Sequence, residues 1–209
     1  MHQATKLFTV LLVAGTMSAT MGSARANTVL GSIWENDPTG AANATVANVP
    51  ITPPDVTFST PTPFTFSSSV GGYTIGGFLG SGGATILTGG AHSGDNLNNT
   101  FFDFKGTVTV TTGQSFTVTH DDGLTLVIDG ITVISQPGPT APVTQTFTYT
   151  GPSGNQTFEL AYGECCGAPA TLQISLPLSS APVPEPASLV LFGSTLAGLG
   201  LFRRRMRKV

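Results

Sequence analysis

The chain has 209 residues, 40% apolar and only 9% charged, which is length enough for one domain with a sizeable core. Its formal charge of −3 hides a split: Lys6, Arg25 and five residues of the basic end leave the stretch 27–182 with Lys105 alone against ten carboxylates, a net charge near −9. One cation cannot neutralise phosphates, so nucleic acid and anionic lipid headgroups are poor partners, while neutral sugars and divalent cations fit.

At the front, Lys6 supplies a positive n-region, Leu7 to Ala14 an apolar h-region, and Ala24, Arg25 and Ala26 an A-x-A cleavage site before Asn27. This pattern predicts a secretory signal peptide over 1–26, cut after Ala26 and addressed to the Sec export machinery. Its apolar core is too short for a membrane span.

The stretch 27–178 is rich in Thr, Val, Phe, Gly, Ser and Pro and shows no helical period, which predicts an all-β ectodomain, an antiparallel β-sandwich or barrel. In chain order, Asn36 to Pro54 reads as a long loop or insertion. Strands are expected at Phe64 to Ser68, Tyr73 to Leu79, Gly106 to Thr111, Phe116 to His120, Leu124 to Ile128, Ile131 to Ile134, Val143 to Tyr149, Gln156 to Tyr162 and Thr171 to Leu176. Trp34 and Tyr73 read as core or rim packing. The loop Ala91 to Thr100 gathers His92, Asp95, Asn96, Asn98 and Asn99 without the spacing of a known Ca²⁺ loop, and reads as a solvated turn. Asp129 and Gly130 between two apolar runs predict a type I′ hairpin with Leu124, Leu126 and Ile128 facing the core.

Cys165 and Cys166 are the only cysteines. In an oxidising compartment adjacent cysteines form a vicinal disulfide that stiffens a tight turn and offers a ligand an apolar plate; free or intermolecular thiols are the alternative. No base is placed beside them by sequence, which argues against a catalytic nucleophile.

Residues 179–182 read as a linker to a three-part tail. Val183, Pro184, Glu185 and Pro186 precede an uncharged stretch at 187–202, and Arg203, Arg204, Arg205, Met206, Arg207 and Lys208 follow. As a helix the stretch would span roughly 24 Å, near the thickness of a hydrocarbon core, and the basic end at 203–208 would stay cytoplasmic. An ordinary tail anchor is the plainer reading. The whole constellation at 183–209 resembles the PEP-CTERM sorting signal. That resemblance implies recognition by an exosortase of a Gram-negative bacterium, an inner-membrane-anchored precursor whose helix is removed, and a mature form at the cell surface or in an extracellular, biofilm-type matrix.

A second resemblance lies in the ectodomain. The run His120, Asp121, Asp122, Gly123, Leu124 through Gly130 resembles the core motif of the PA-fourteen module, a β-sandwich named from protective antigen. Gly113 to Val118 before it and Phe158 to Leu176 after it extend the likeness over about 101–176. In sugar-binding members two adjacent aspartates, often across a cis peptide, hold a Ca²⁺ that takes sugar hydroxyls while a second loop adds specificity. The resemblance therefore implies Ca²⁺ at Asp121 and Asp122 and a ligand loop around Glu164, Cys165, Cys166 and Gly167. The bland reading is that the aspartates cap a turn. His120 is expected to orient a carboxylate.

Three functions remain: a noncatalytic surface or matrix protein binding exopolysaccharide or another glycan through Ca²⁺, a structural or protein-interaction module, and a glycoside-active enzyme. Adjacent carboxylates in one turn lack the opposed geometry of a glycosidase, which ranks the enzyme last.

Overall fold

The computed structural model describes residues 28–179. The expected signal peptide, most of the expected linker, the expected helix at 187–202 and the sorting tail lie outside the described residues, among which no helix is long and apolar enough to cross a membrane.

Two antiparallel sheets pack face to face. The larger contains β1 (Thr28–Trp34), β2 (Val56–Pro61), β4 (Thr85–Thr88), β5 (Thr100–Val110), β7 (Leu124–Ile128), β8 (Ile131–Gln136), β10 (Gly154–Glu164) and β12 (Leu178–Ser179). Its order is β4-β2-β1-β5-β10-β7-β8, with β12 also on β5. The smaller, ordered β3-β11-β6-β9, contains β3 (Phe64–Ser67), β6 (Ser115–His120), β9 (Val143–Thr148) and β11 (Thr171–Ile174). Alternating Thr and apolar residues give strands one buried and one wet face: in β6, Phe116 and Val118 point inward while Ser115 and Thr117 are exposed.

Between the sheets lies an aromatic core. Phe104 sits at its middle, with ring centroids 4.9 Å from Phe64, 5.5 Å from Phe58 and 6.1 Å from Phe66. The Phe58 ring crosses β1 at Gly31, where a Cβ would come within 2.3 Å of it, so glycine is required there to let the ring reach the core. The hairpin forms as expected: Asp129 and Gly130 take φ of 51° and 74°, and Leu124, Leu126 and Ile128 are fully buried.

Three expectations need correction. Tyr73 to Leu79 is not a strand; Ile75–Ser81 is a helix, capped by Thr74, whose hydroxyl accepts from Gly77 N at 3.1 Å. Ile75, Phe78 and Leu79, at i, i+3 and i+4, fill the core, and Phe78 stacks on Phe66 at 5.1 Å. This helix is α3, after one-turn helices α1 (Pro38–Ala41) and α2 (Ser68–Gly71). The segment Asn36 to Pro54 is no bare loop either. With α1 and a 3-10 turn at Val46–Asn48 it covers the outer face of the larger sheet, where Ala44 packs with Trp34, Phe101 and Ala161. Finally, Ser179 belongs to β12 rather than to a linker.

Replacing Phe104 with alanine leaves several rings without their central partner. We expect a loss of about 4 kcal/mol in urea unfolding, with the denaturant slope unchanged; a loss under 1 kcal/mol would show that the ring cluster does not hold the sheets together.

Candidate functional site

Three connections pass from one sheet to the other at the same end of the sandwich. Residues 121–123 join β6 to β7, 137–142 join β8 to β9, and 165–170 join β10 to β11. They enclose a cavity of about 400 Å³ lined by Asp121, Asp122, Pro139 to Pro142 and Cys165 to Pro169. The structure thus brings together Asp121, Asp122, Cys165, Cys166 and Gly167, as expected from sequence.

The Asp pair is bound tightly into the backbone. Asp121 N donates to Thr171 O and Asp122 N to Thr140 O, each at 2.9 Å, which ties the turn to both other crossings. Asp122 Oδ2 accepts from Cys165 N at 2.8 Å, and Asp121 Oδ1 accepts from Asp122 N at 3.1 Å. Asp122 holds φ at 56°, a left-handed conformation that Asp tolerates. The cis peptides among the described residues are Thr62–Pro63 and Ala168–Pro169, so the Asp121–Asp122 bond is trans.

Both aspartates are 4% exposed. Burial, then the neighbouring Asp122 carboxylate, pushes Asp121 up to about 6. Burial also raises Asp122, against the hydrogen bonds it accepts from backbone N–H groups. No Lys or Arg lines the cavity; Lys105, the only one among the described residues, bridges Asp103 and Glu159 at 3.1 Å each.

His120 is fully buried, but it does not orient a carboxylate. Its Nδ1 donates to the Asp122 carbonyl at 2.9 Å and its Nε2 lies 2.7 Å from Gln136 Oε1, so it fixes the backbone of the turn and links it to β8. Cys165 and Cys166 form the vicinal disulfide, with Cys166 at φ 67°. Cys165 is buried and Cys166 exposed at the cavity wall.

Glu164 departs from the ligand-loop expectation. It is fully buried at the end of β10, and its two oxygens accept from Tyr162 at 2.6 Å and Tyr73 at 2.8 Å. The carboxylate faces these hydroxyls and not the cavity. Tyr73, read as packing, therefore clamps a buried acid, a contact across 91 positions that no local signal reveals. Tyr73 also lines a second, larger cavity of about 700 Å³ with Glu35, Asn36, Asp95, Asn96, Asn98, Asn99, Gly167 and Ala168. Gly167 and Ala168 are common to both cavities.

Burial pushes Glu164 from 4.5 up to about 8. The native chain keeps a proton that the unfolded chain sheds, so this contribution is complete below pH 4.5 and is lost as pH rises to about 8. Asp103 and Asp121, both pushed up to about 6, act in the same direction at lower pH. In chelator-containing buffer we expect unfolding free energy to fall between pH 6 and 8, with Glu164→Gln removing on the order of 2 kcal/mol of that fall. Parallel pH profiles for the two chains would refute it.

Comparisons with known proteins address both ends of this picture. The PEP-CTERM protein-sorting motif matches residues 182–205. No curated protein matches the chain. Among solved structures, the PA14 domain of the MpAFP antifreeze protein is similar at 21% identity and TM-score 0.56, covering 80% of this chain and all of that one. The PA14 sugar-binding domain from an RTX adhesin is similar at 19% identity and TM-score 0.56, covering 76% of this chain and all of that one. The chain therefore carries a PEP-CTERM protein-sorting motif behind a β-sandwich with the fold of PA14 domains.

Proposed function

We propose that this is an exported, noncatalytic surface or matrix protein whose sandwich binds carbohydrate, with Asp121 and Asp122 holding a Ca²⁺ that takes sugar hydroxyls. A PEP-CTERM protein-sorting motif implies an exported protein. The same motif implies processing by an exosortase-type enzyme of a Gram-negative bacterium, and residence in an exopolysaccharide matrix is part of the proposal. The adhesin domain of similar fold is named as sugar-binding, which favours a glycan as the ligand here.

One observation carries the reading: two adjacent carboxylates, each 4% exposed, stand at a 400 Å³ cavity with no cationic side chain in its lining. The donor set suits Ca²⁺, which takes six to eight oxygens and tolerates irregular loops. Asp121 and Asp122 would supply carboxylate oxygens, and Cys165 to Pro169 line the same wall. Bound there, the ion would offset the carboxylate repulsion and present open positions to vicinal hydroxyls. The exposed Cys166 with Pro139 and Pro142 would give a sugar ring an apolar face to rest on.

A purely structural or interaction module is the second reading, and the bonds from Asp122 N and Cys165 N to the two carboxylates favour it, since they are the work of turn caps. Hydrolysis has less support: Glu164, the remaining acid of the loop, is engaged by two tyrosines and absent from the cavity lining.

Calorimetric titration of Ca²⁺ into the purified protein near pH 7.5, beside Asp121→Asn/Asp122→Asn, decides between the first two. We expect micromolar to millimolar affinity in the parent chain, none in the double variant, and retention on polysaccharide that disappears with chelator. Equal Ca²⁺ binding by both chains, or none by either, would leave the structural module.

A further inference from the structure

The larger cavity has a wall that sequence reading treated as a solvated turn. Its 3-10 turn, Gly90–Gly94, carries His92, followed by Asp95. Just beyond β1 is Glu35, which arrives from 57 positions away. His92 Nδ1 lies 3.0 Å from Glu35 Oε2 and 3.0 Å from Asp95 Oδ2, and one donor atom from each of the three residues falls within 4.8 Å of the others. Only one hydrogen can sit on that nitrogen, yet two carboxylates converge on it.

A second observation sets this apart from an ordinary ion pair. Glu35 Oε1 is buried and has no hydrogen-bond partner among the described residues. Glu35 N donates to Asp55 Oδ2 at 2.8 Å, which brings a further carboxylate beside Glu35. Lys105 is the only Lys or Arg among the described residues and is engaged elsewhere by Asp103 and Glu159. Two carboxylates thus meet one imidazole with a third, Asp55, beside Glu35, and the local charge stays negative even if that ring is protonated.

We propose that Glu35, His92 and Asp95 form a divalent transition-metal site, of the zinc class, that fastens the 90–95 turn to the end of β1. An imidazole nitrogen with two carboxylates is a borderline donor set that suits Zn²⁺, whereas Ca²⁺ takes oxygens. Zinc arms of about 2.0–2.2 Å place tetrahedral donors roughly 3.4 Å apart. The observed 3.0 Å contacts need to open by only a few tenths of an ångström. The ion would take the place of the contested proton, and the orphaned Glu35 oxygen would gain a positive neighbour. Because Glu35 and Asp95 line the 700 Å³ cavity beside Asn36, Asn96, Asn98 and Asn99, the ion would fix the shape of that amide-rich wall. This site is separate from the Asp121/Asp122 turn and does not depend on calcium or sugar binding there.

Equilibrium dialysis of the untagged, chelator-stripped protein against Zn²⁺, with metal counted by mass spectrometry, tests it. Co²⁺ absorption serves as a probe of nitrogen and oxygen ligation. We expect micromolar Zn²⁺ binding and a Tm rise of about 5 °C at saturation. His92→Gln and Asp95→Asn should each weaken that binding at least roughly tenfold; both alter partly or fully exposed side chains, and circular dichroism checks that each variant stays folded. Asp121→Asn/Asp122→Asn should keep the His92-dependent ion. No Zn²⁺ uptake at high micromolar metal, uptake unchanged in His92→Gln, or Ca²⁺ bound at these residues instead would overturn the proposal.

Discussion

The pairing of β5 with β10 holds everything else in place. Eleven residue pairs run in unbroken register from Val110 with Gly154 to Thr100 with Glu164. On one face Phe102, Phe104, Leu160 and Tyr162 enter the main core; on the other Phe101 and Ala161 receive Trp34 and Ala44. The ladder is covered on both sides, so neither strand can slip without moving a whole set of rings to the wrong face. The site hangs from its end: one residue past Glu164 the chain leaves the larger sheet for the smaller, and at Gly163 a Cβ would meet the Ala41 carbonyl at 2.2 Å. The covering segment is thereby seated against the same strand that aims the disulfide loop.

Among the described residues, this end concentrates acids and offers them no ammonium or guanidinium group. Lys105 sits in the middle of the ladder, opposite Glu159, and serves the acids there. At the crossings, charge is handled by other means. Glu164 takes two tyrosine hydroxyls and the upward pull of burial, which brings it to about 8. Asp121 and Asp122 take backbone N–H groups, each of which favours the ionised form against burial. Glu164 keeps its proton near neutral pH and carries no charge there, which leaves the Asp pair as the acidic excess at the crossings and an attraction for cations.

What sequence could reveal follows from how local each device is. The hairpin was legible because Asp129 and Gly130 alone determine it, and β6, β7 and β9 because period-2 patterning needs only its own residues. Tyr73 to Leu79 misled because Gly76 and Gly77 depress helix propensity, while tertiary packing of Ile75, Phe78 and Leu79 overrides it. β1 and β2 escaped notice since Gly31 looks like a breaker until Phe58 is seen filling the space above it. In the site, the Asp pair and the adjacent cysteines stood out as neighbours in the chain. The Tyr73 hydroxyl on Glu164 and the Glu35 carboxylate on His92 arise from the three-dimensional meeting of distant segments, and no spacing rule encodes them.

The loop 165–170 is where these threads join. Gly167 and Ala168 form part of both cavity walls, so any movement of this loop changes both spaces together. It is fastened at each end: Cys165 N donates to Asp122 Oδ2 at one, while at the other Ala170 N donates to Ser68 Oγ at 2.7 Å and Ser68 N donates back to Ala170 O. Between these anchors lie the disulfide ring, Cys166 at φ 67° and Gly167 at φ 103°, the latter a backbone conformation open to glycine and few other residues. A six-residue connection with so few free torsions behaves as a partition rather than a flap. The two open pockets are then neighbours that share this loop, one with carboxylate and sulfur in its wall and the other rich in amides. On the carbohydrate-binding reading proposed above, an extended, hydroxyl-rich polymer would lie across both.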